Sequence, residues 1–394
     1  MRSTVSLVSC RGYDDAVVAK SVAEAIEKAG GLEVRGASVL VKPNLLNANG
    51  WERAVTSHPA FVAAVVRWLK AAGASRVLVG DSPGFQAQDF VGRKCGIRDA
   101  AIEAGGEWAD FSEGAEVECP EGRLVRRFTL AKPFAEADLL VDLPRLKTHQ
   151  LMYYSGAVKN LFGLVPGLQK SAFHLRFPGR AEFAGMLADL ALAAAPDFTL
   201  MDAIVAMEGP GPNNGRPKEL DLVLASRDPL ALDWIASDLI GYRPETIPYL
   251  ADLLGRGARE GIGADGEGGL ASKVRGRWMT RPEDIELRGL RLEDSRPANF
   301  ELVPVLPADA DIFREKLPGW LHRLLKNAMV PRPVFDHIKC VRCAGCVKIC
   351  PAKALSLAEG PQAKIEIDYK ACLRCYCCHE ICPADAIRLV KRPF

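Results

Sequence analysis

The sequence predicts an α/β fold in which a large domain with a mostly parallel sheet is followed by a small cysteine-rich domain. Three observations support this prediction. The chain has 394 residues, and a domain typically takes about 150, so more than one domain is favoured. Short runs of β-branched residues alternate with helix-like patterns, as they do in βαβ units. Nine of the 12 cysteines lie between Cys340 and Cys382, which indicates a separate unit with its own chemistry.

Strands and helices are predicted to alternate along the large domain. The strands are Thr4 to Val8, Ser38 to Val41, Arg76 to Gly80, Asp138 to Leu143, Phe198 to Ala206 and Asp221 to Ala225. The helices are Asp14 to Lys28, Pro59 to Lys70, Ala181 to Ala195 and Pro229 to Ile240. Parallel strands need crossover connections, which such helices supply. The glycine-rich stretch from Gly255 to Gly269 is typical of a mobile loop.

A domain boundary is expected near Pro331 and Pro333. A helix pattern runs from Asp311 to Ala328, and the two prolines that follow end it, because proline lacks the N–H group that a helix interior needs. We therefore predict an α/β domain over residues 1–310, a helix and proline-containing linker over 311–333, and a small domain over 334–394.

Composition excludes several classes of protein. Apolar residues make up 48% of the chain and charged residues 25%, which is ordinary for a globular protein. The formal net charge is +2, so no global basic field calls for a nucleic acid or an acidic membrane. The longest apolar run, Met186 to Ala195, contains Asp189 and is too short to span a membrane. No signal peptide is recognisable at the start, and a cytoplasmic protein is expected.

The clustered cysteines form a duplicated motif with the spacing C-x2-C-x2-C-x3-C-P. The first copy consists of Cys340, Cys343, Cys346, Cys350 and Pro351. The second copy begins 32 residues later and consists of Cys372, Cys375, Cys378, Cys382 and Pro383. The likeness extends to neighbouring positions, since Ile349 to Ala352 have the same residues as Ile381 to Ala384. A repeat of this kind indicates a duplicated structural unit.

This spacing suits an iron-sulfur cube. Three cysteines at intervals of three wrap around one cluster, and in two-cluster ferredoxins the fourth cysteine ligates the other cluster. One 4Fe-4S cluster is expected on Cys340, Cys343, Cys346 and Cys382, and a second on Cys372, Cys375, Cys378 and Cys350. The alternatives are zinc, which pairs two C-x-x-C motifs and needs no third cysteine, and disulfides, which are unusual in a reducing cytosol.

The segment from about Phe335 to Val390 resembles bacterial-type ferredoxins that carry two 4Fe-4S clusters. This resemblance implies a small ferredoxin-like α+β iron-sulfur domain and electron transfer. Cys377 departs from the pattern because it adds a thiol beside Cys378; it is expected not to be a ligand, with an exchanged ligand as the alternative. His379 lies in the gap before the fourth cysteine and is expected to face solvent.

Polar residues follow three predicted strands of the large domain. Lys42 follows the strand that ends at Val41, Asp81 follows Gly80, and Lys147 and His149 come shortly after Leu143. Open α/β sheets bind ligands at the carboxyl ends of their strands, so Lys42, Lys147 and His149 are the candidate catalytic residues. Lysines bind carboxylate or phosphate, and a histidine or a lysine of lowered pKa can move a proton during a reduction.

Simpler interpretations remain open for the same residues. The lysines can be solvated, the segment Gly80 to Gly84 can be only a turn, and His174 can be a half-buried structural residue. No nucleotide motif stands beside them, because Gly209 to Gly215 has the wrong spacing for G-x-G-x-x-G and the chain lacks a P-loop sequence.

Several short stretches of the large domain resemble the domain-of-unknown-function 362 family, whose members often have a ferredoxin module. They are Val41-Lys42-Pro43-Asn44, Thr56-Ser57-His58-Pro59, Gly80-Asp81-Ser82-Pro83-Gly84, Leu146-Lys147-Thr148-His149, Gly156 to Gly163, and Asp228-Pro229 before a helix. The resemblance spans roughly residues 5–240. It implies a fold but no established reaction, so no catalytic residue is carried over from it.

Three functions are compatible with these features. The first is a reductase in which two clusters relay electrons to a substrate, such as an anionic small molecule, or to a further cofactor in the α/β domain. The second is a non-catalytic electron carrier whose large domain docks a partner, and the third is a maturation factor. Each implies a low-potential electron donor or acceptor protein as partner, whereas neither nucleic acid nor a membrane span is expected.

Overall fold

The computed structural model describes residues 2–260, 278–306, 329–358, 360 and 363–391. The predicted helix from Asp311 to Ala328 lies outside these residues. Of the predicted loop from Gly255 to Gly269, residues 261–269 lie outside as well. Its first part is not a loop, because Gly255 and Gly257 belong to a helix that runs over Pro248–Glu260. The domain boundaries at residues 310 and 333 stay predictions.

In the described part of the large domain, ten strands form one mixed sheet. Its strands are β1 (Ser3–Ser9), β2 (Ser38–Pro43), β3 (Arg76–Val79), β4 (Glu107–Trp108), β7 (Leu139–Leu143), β8 (Arg145–His149), β9 (Tyr153–Ser155), β10 (Phe198–Glu208), β11 (Arg216–Ser226) and β12 (Ile285–Gly289). A separate hairpin is made by β5 (Gly114–Glu118) and β6 (Arg127–Ala131). The strand order in the main sheet is β12-β1-β11-β10-β7-β2-β3-β4, with β8 beside β10 and β9 beside β8.

Most neighbouring strands in this sheet are parallel, which confirms the predicted fold class. The pairs β7–β2, β2–β3 and β3–β4 are parallel, whereas β11 is antiparallel to both β1 and β10. Strand β8 continues from β7 after Pro144, so β10 pairs with β7 at its start and with β8 further along. The carboxyl ends of β7, β2 and β3 therefore lie side by side.

The helices of the large domain cover both faces of the sheet. They are α1 (Asp15–Lys28), α2 (Pro59–Ala71), α3 (Gln88–Lys94), α4 (Ile97–Glu103), α5 (Lys132–Glu136), α6 (Ala157–Asn160), α7 (Gln169–Arg176), α8 (Arg180–Ala194), α9 (Pro229–Leu239), α10 (Pro248–Glu260) and α11 (Leu292–Ser295). Asp14 caps α1 and Asp228 caps α9, and each carboxylate accepts two backbone amides. These caps satisfy amide groups that a helix start leaves without partners.

Alternating residues of the central strands enter two different cores. In β2, Val39 and Val41 pack against α1 and α2, while Leu40 faces the opposite core, which contains α8 and α9. Alternation of this kind follows from the two-residue period of a strand. The sheet is therefore buried on both faces, and ligands have access at its strand ends.

The C-terminal module consists of two similar halves. It contains β13 (Arg332–Phe335), α12 (Gly345–Ile349), β14 (Leu355–Leu357), β15 (Ile365–Ile367), α13 (Cys377–Glu380) and β16 (Ile387–Val390). Strand β13 pairs with β16, and β14 pairs with β15. The backbone conformation is similar at equivalent positions of the two halves: φ is +57° at Arg342 and +62° at Arg374. The duplication recognised in the sequence is thus present in the backbone.

Candidate functional site

Four cysteines of the module surround a small apolar cavity. Cys340, Cys343, Cys346 and Cys382 line about 20 Å³, together with Phe335 and Ile387 among others. Burial and the other three thiols raise the pKa of Cys346 to about 11 in the metal-free chain. The amide of Ala386 donates to Cys382 Sγ at 3.3 Å. Soft sulfur donors around a dry space, with backbone N–H groups directed at sulfur, fit a 4Fe-4S cluster.

The other four cysteines form an equivalent set around the second half. Burial, with Cys375, Cys372, Cys346 and Cys350 nearby, raises the pKa of Cys378 well above its ordinary value. The amide of Ala354 donates to Cys350 Sγ at 3.3 Å, which repeats the bond at Cys382. This set also fits a cluster, and its fourth member comes from the first motif. The assignment of individual ligands stays a prediction.

Cys377 and His379 lie on α13, which packs against the large domain. His379 is 2% exposed, so the prediction that it faces solvent is wrong. A four-residue helix between two ligand positions becomes buried when a second domain covers it, and the local sequence does not report such contacts. Cys377 is also buried and lines a cavity between module and large domain.

The strand ends of the large domain bring a buried ion pair to that cavity. Lys42 Nζ lies 3.0 Å from Asp81 Oδ1, and both side chains are almost fully buried. The second oxygen of Asp81 accepts the amide of Leu45 at 2.7 Å. The solvated-lysine interpretation is therefore wrong for Lys42, and the segment after β3 is more than a turn, since it supplies the partner of this lysine.

The stretch from Gly156 to Gly163 wraps over this pair. A Cβ at Gly163 would collide with Asp81 Oδ1 and would lie 2.8 Å from Lys42 Nζ. Between the two glycines, Asn160 donates to Asp142 Oδ1 at 2.7 Å and accepts from Asn44 at 3.0 Å. The glycines permit close approach to the strand ends, and Asn160 fixes the side chain of Asn44.

Lys147 and His149 follow a predicted strand end, which is a position typical of a loop. Both residues lie instead in strand β8. Lys147 is 2% exposed and donates to Asn44 Oδ1 and to the carbonyl of Val55. Burial, with Arg145 and Lys159 nearby, lowers the pKa of Lys147 to about 7. This lysine therefore loses its proton easily at neutral pH, which is the condition for proton transfer.

His149 presents one nitrogen to the cavity. Its Nδ1 accepts the amides of Leu151 and Met152 at 3.0 and 3.3 Å, so the proton of the neutral ring must sit on Nε2. That atom lies 3.3 Å from Glu380 Oε1 of the module, yet neither of these buried atoms makes an aligned hydrogen bond. Burial lowers the pKa of His149 well below its ordinary value, so the contact joins a neutral imidazole to a carboxyl group.

The cavity between the domains holds about 100 Å³. The large domain contributes Asn44, Asp81, Ser82, Lys147, His149, Lys159, Lys170 and His174 to its wall, and the module contributes Ile349, Cys377, Glu380 and Ile381. Burial lowers the pKa of Lys170 to about 7. Because the lysines outnumber the carboxylates, the cavity favours an anion. Unsatisfied buried polar atoms, such as His149 Nε2, are also typical of a place where a ligand binds.

Several residues of the cavity wall were not among the candidate catalytic residues predicted from the sequence. Lys159, Lys170 and His174 stand in the polar segment after β8, but nothing in the sequence directs them into one cavity. Glu380 was not predicted at all. A comparison of the two halves could have found it, since Lys348 and Glu380 are equivalent, as are Gly345 and Cys377. The second half thus differs from the first where it touches the large domain.

Together the fold and the site define an α/β protein joined to a 4Fe-4S module, with a cationic cavity between them. Residues 39–238 match the family described as a domain of unknown function, DUF362, and residues 332–383 match the 4Fe-4S dicluster domain. The chain belongs to the DUF362 family, as the resemblance at its strand ends predicted. Its C-terminal module is accordingly a 4Fe-4S-binding domain of ferredoxin type.

The chain is similar to a curated protein in sequence and, more weakly, to solved structures in fold. The thylakoid-associated protein of Synechocystis sp. is 34% identical over 255 residues, which are 64% of this chain and 78% of that protein. The lactate racemase apoprotein from Thermoanaerobacterium thermosaccharolyticum has a TM-score of 0.37 at 14% identity, covering 58% of this chain and 55% of its own. A Thermotoga maritima protein has a TM-score of 0.34 at 12% identity, covering 54% and 55%. Within the described ranges, no helix is long and apolar enough to cross a bilayer.

Proposed function

We propose that the protein is a reductase for a small anionic molecule that binds in the cavity between the two domains. The observation that supports this most directly is the composition of the cavity wall. Lys147, Lys159 and Lys170 converge from the large domain, and one part of the wall, with Cys377 and Glu380, belongs to the module that binds iron and sulfur. An anion held by the lysines would lie next to the source of electrons.

The size of the cavity limits what it can hold. A volume of about 100 Å³ corresponds to roughly three waters, each of which takes about 30 Å³ in the liquid. We therefore expect the carboxylate or phosphate end of a substrate together with the atoms next to it. Lys159 and Lys170 would neutralise the anion, and Asn44 would hold Lys147 in place.

The proposed reaction is a two-electron reduction of a carbonyl group or an activated double bond. Two 4Fe-4S clusters, bound at the eight motif cysteines, would supply the electrons one at a time from an external low-potential donor protein. Two protons are needed for balance. The Lys147 ammonium can donate one, since burial lowers its pKa to about 7. The carboxyl group of Glu380, whose pKa burial raises, can donate the other, while neutral His149 donates a hydrogen bond from Nε2 to the charge that develops on the substrate. Clustered cysteines that serve as cluster ligands instead of forming disulfides support a reducing compartment such as the cytoplasm.

The test uses anaerobically reconstituted protein that has been reduced with dithionite. Small carboxylates and phosphates are screened for reoxidation of the iron-sulfur absorbance, and binding of each hit is measured by calorimetry. We expect Lys147→Gln and His149→Gln to slow reoxidation by at least tenfold. Lys20→Gln, at an exposed position on α1, is the matched control and should react as the unaltered protein does.

The opposite result would favour the electron-carrier alternative. If only protein acceptors reoxidise the reduced chain, and both cavity variants equal the control, the cavity takes no part in turnover and the reductase proposal fails.

A further inference from the structure

The two cysteine loops of the module are related by duplication but differ in exposure. In the first loop, Ile338 is 98% exposed and Val341 is 65% exposed. In the second loop, Leu373, the equivalent of Val341, is half-buried and Arg374, the equivalent of the exposed Arg342, is only 6% exposed, whereas Lys370, the equivalent of Ile338, is exposed as well. Because the backbones of the loops are alike, this difference arises from what packs against each one.

The second loop is turned toward the rest of the protein. Arg374 donates to the carbonyl of Val330 at 2.7 Å, and the hydroxyl of Tyr376 donates to the carbonyl of Pro331 at 2.8 Å. Tyr376 packs within the hydrophobic core of the large domain. Cys377, in the same half, lines the substrate cavity. An external donor protein therefore reaches the first loop more readily than the second.

We define the docking loop as His337, Ile338, Lys339, Val341 and Arg342, all of which are exposed. Its apolar side chains stand among basic ones, and no Asp or Glu occurs in the sequence between His337 and Lys348. The carboxylate of Asp336, just before it, accepts the amides of Ile338 and Lys339 at 3.1 and 3.3 Å. These two hydrogen bonds fix the turn in which Ile338 is exposed.

These features match those of a protein interface. Interfaces combine an apolar centre with a polar rim, and charge complementarity speeds the encounter of the correct partners. The basic side chains also offset the negative charge that thiolates and iron-sulfur clusters have together, so an acidic partner would not be repelled.

We propose that the docking loop binds an acidic electron-transfer protein, which passes electrons to the 4Fe-4S cluster that the neighbouring cysteine set would hold. In each encounter the donor gives one electron and is itself oxidised by one electron, and no bond or proton changes hands. The inference goes beyond the proposed reductase activity, because it concerns the donor and not the substrate.

The test measures binding and reduction separately, on the iron-loaded protein. Two acidic donors, a plant-type 2Fe-2S ferredoxin and a flavodoxin, are titrated by calorimetry at low and high salt, with basic cytochrome c as the probe of opposite charge. We expect the double variant Lys339→Glu and Arg342→Glu to weaken binding of the acidic donors at least tenfold. Ile338→Ser should weaken binding with little change in its salt dependence, and Lys20→Glu should have no effect.

Further readouts separate this proposal from the proposed function. Dithionite is a small reductant that needs no docking, so turnover driven by dithionite should be equal in the double variant and the unaltered protein. Cytochrome c should bind the double variant more tightly. The proposal is overturned if neither acidic donor binds the unaltered protein at low salt, or if the double variant binds them as well as the Lys20→Glu control does.

Discussion

Replacement of Lys147 by methionine tests whether this lysine serves catalysis or stability. Lys147 is 2% exposed, and its ammonium group contacts Asn44 and the carbonyl of Val55. A buried ammonium costs free energy even when it donates hydrogen bonds, because its hydration is lost. Methionine has a similar length and no charge. If the lysine is retained for function, we expect its removal to stabilise the fold while it abolishes substrate reduction.

The magnitude follows from the pKa. Burial lowers the pKa of Lys147 from 10.5 to about 7, and at about 1.36 kcal/mol per pH unit the buried charge costs about 5 kcal/mol below pH 7. The substitution removes this cost, but it also removes the hydrogen bonds to Asn44 and Val55. Their loss lowers the stability of the variant by about 3 kcal/mol. The Lys147→Met variant should therefore be about 2 kcal/mol more stable than the unaltered protein at pH 6.

The sign of this difference should change with pH. Between pH 7 and 10 the unfolded chain binds more protons at Lys147 than the folded chain, so the stability of the unaltered protein rises by about 1.4 kcal/mol per pH unit relative to the variant. The two proteins should be equally stable between pH 8 and 9. At pH 9 the variant should be the less stable of the two by about 1 kcal/mol.

Tryptophan fluorescence during urea unfolding measures this difference chiefly in the large domain. Five of the six tryptophans lie within residues 1–310, the sixth is Trp320 in the predicted linker, and none lies in the module. The reasoning is refuted if Lys147→Met is less stable than the unaltered protein by more than 1 kcal/mol at pH 6 and the difference does not vary with pH. Lys147 would then be a structural anchor.

Two further pairs of substitutions, each a test with its matched control, have expected outcomes. Gly163→Ala should destabilise the large domain by about 3 kcal/mol in the same urea assay, because the added methyl collides with Asp81 and disturbs a buried ion pair. Gly255→Ala, whose Cβ meets no atom within 4 Å, should instead stabilise α10 by up to about 1 kcal/mol; equal losses in the two variants would contradict the close-contact argument. Cys377→Ser should retain about eight irons per chain in an iron assay, whereas Cys375→Ser should lose roughly half. Equal iron loss in both would make Cys377 a ligand.

Within the described residues, the strands and helices that periodicity predicted are present, with ends displaced by a few residues. Strand β8 was missed because Pro144 and the polar side chains after it, at Arg145 and Lys147, are typical of a loop. Those side chains are buried, since Arg145 contacts Tyr13, Asp202 and Val205, and Lys147 contacts Asn44 and Val55. Burial of a charged residue depends on contacts far away in sequence, and a local pattern does not contain that information.

The candidate site was predictable in its parts but not in its arrangement. Lys42, Lys147 and His149 follow from the rule on strand ends, and the structure places Lys147 and His149 at one cavity, with Lys42 directly behind it in its pair with Asp81. The contribution of the module through Glu380 could not be derived, because nothing in the sequence says which face of a duplicated unit will meet the other domain.

The pairing of Arg332–Phe335 with Ile387–Val390 brings the two ends of the module to one place. A unit with adjoining ends can be exchanged between homologues as a single cassette, without a cut in the main sheet. The module supplies both the docking loop and Glu380. Such an exchange would therefore transfer the proposed preference for an electron donor together with one part of the wall of the proposed substrate cavity. If both proposals hold, a chimaera should therefore inherit two specificities at once, one for the electron donor and one for the substrate.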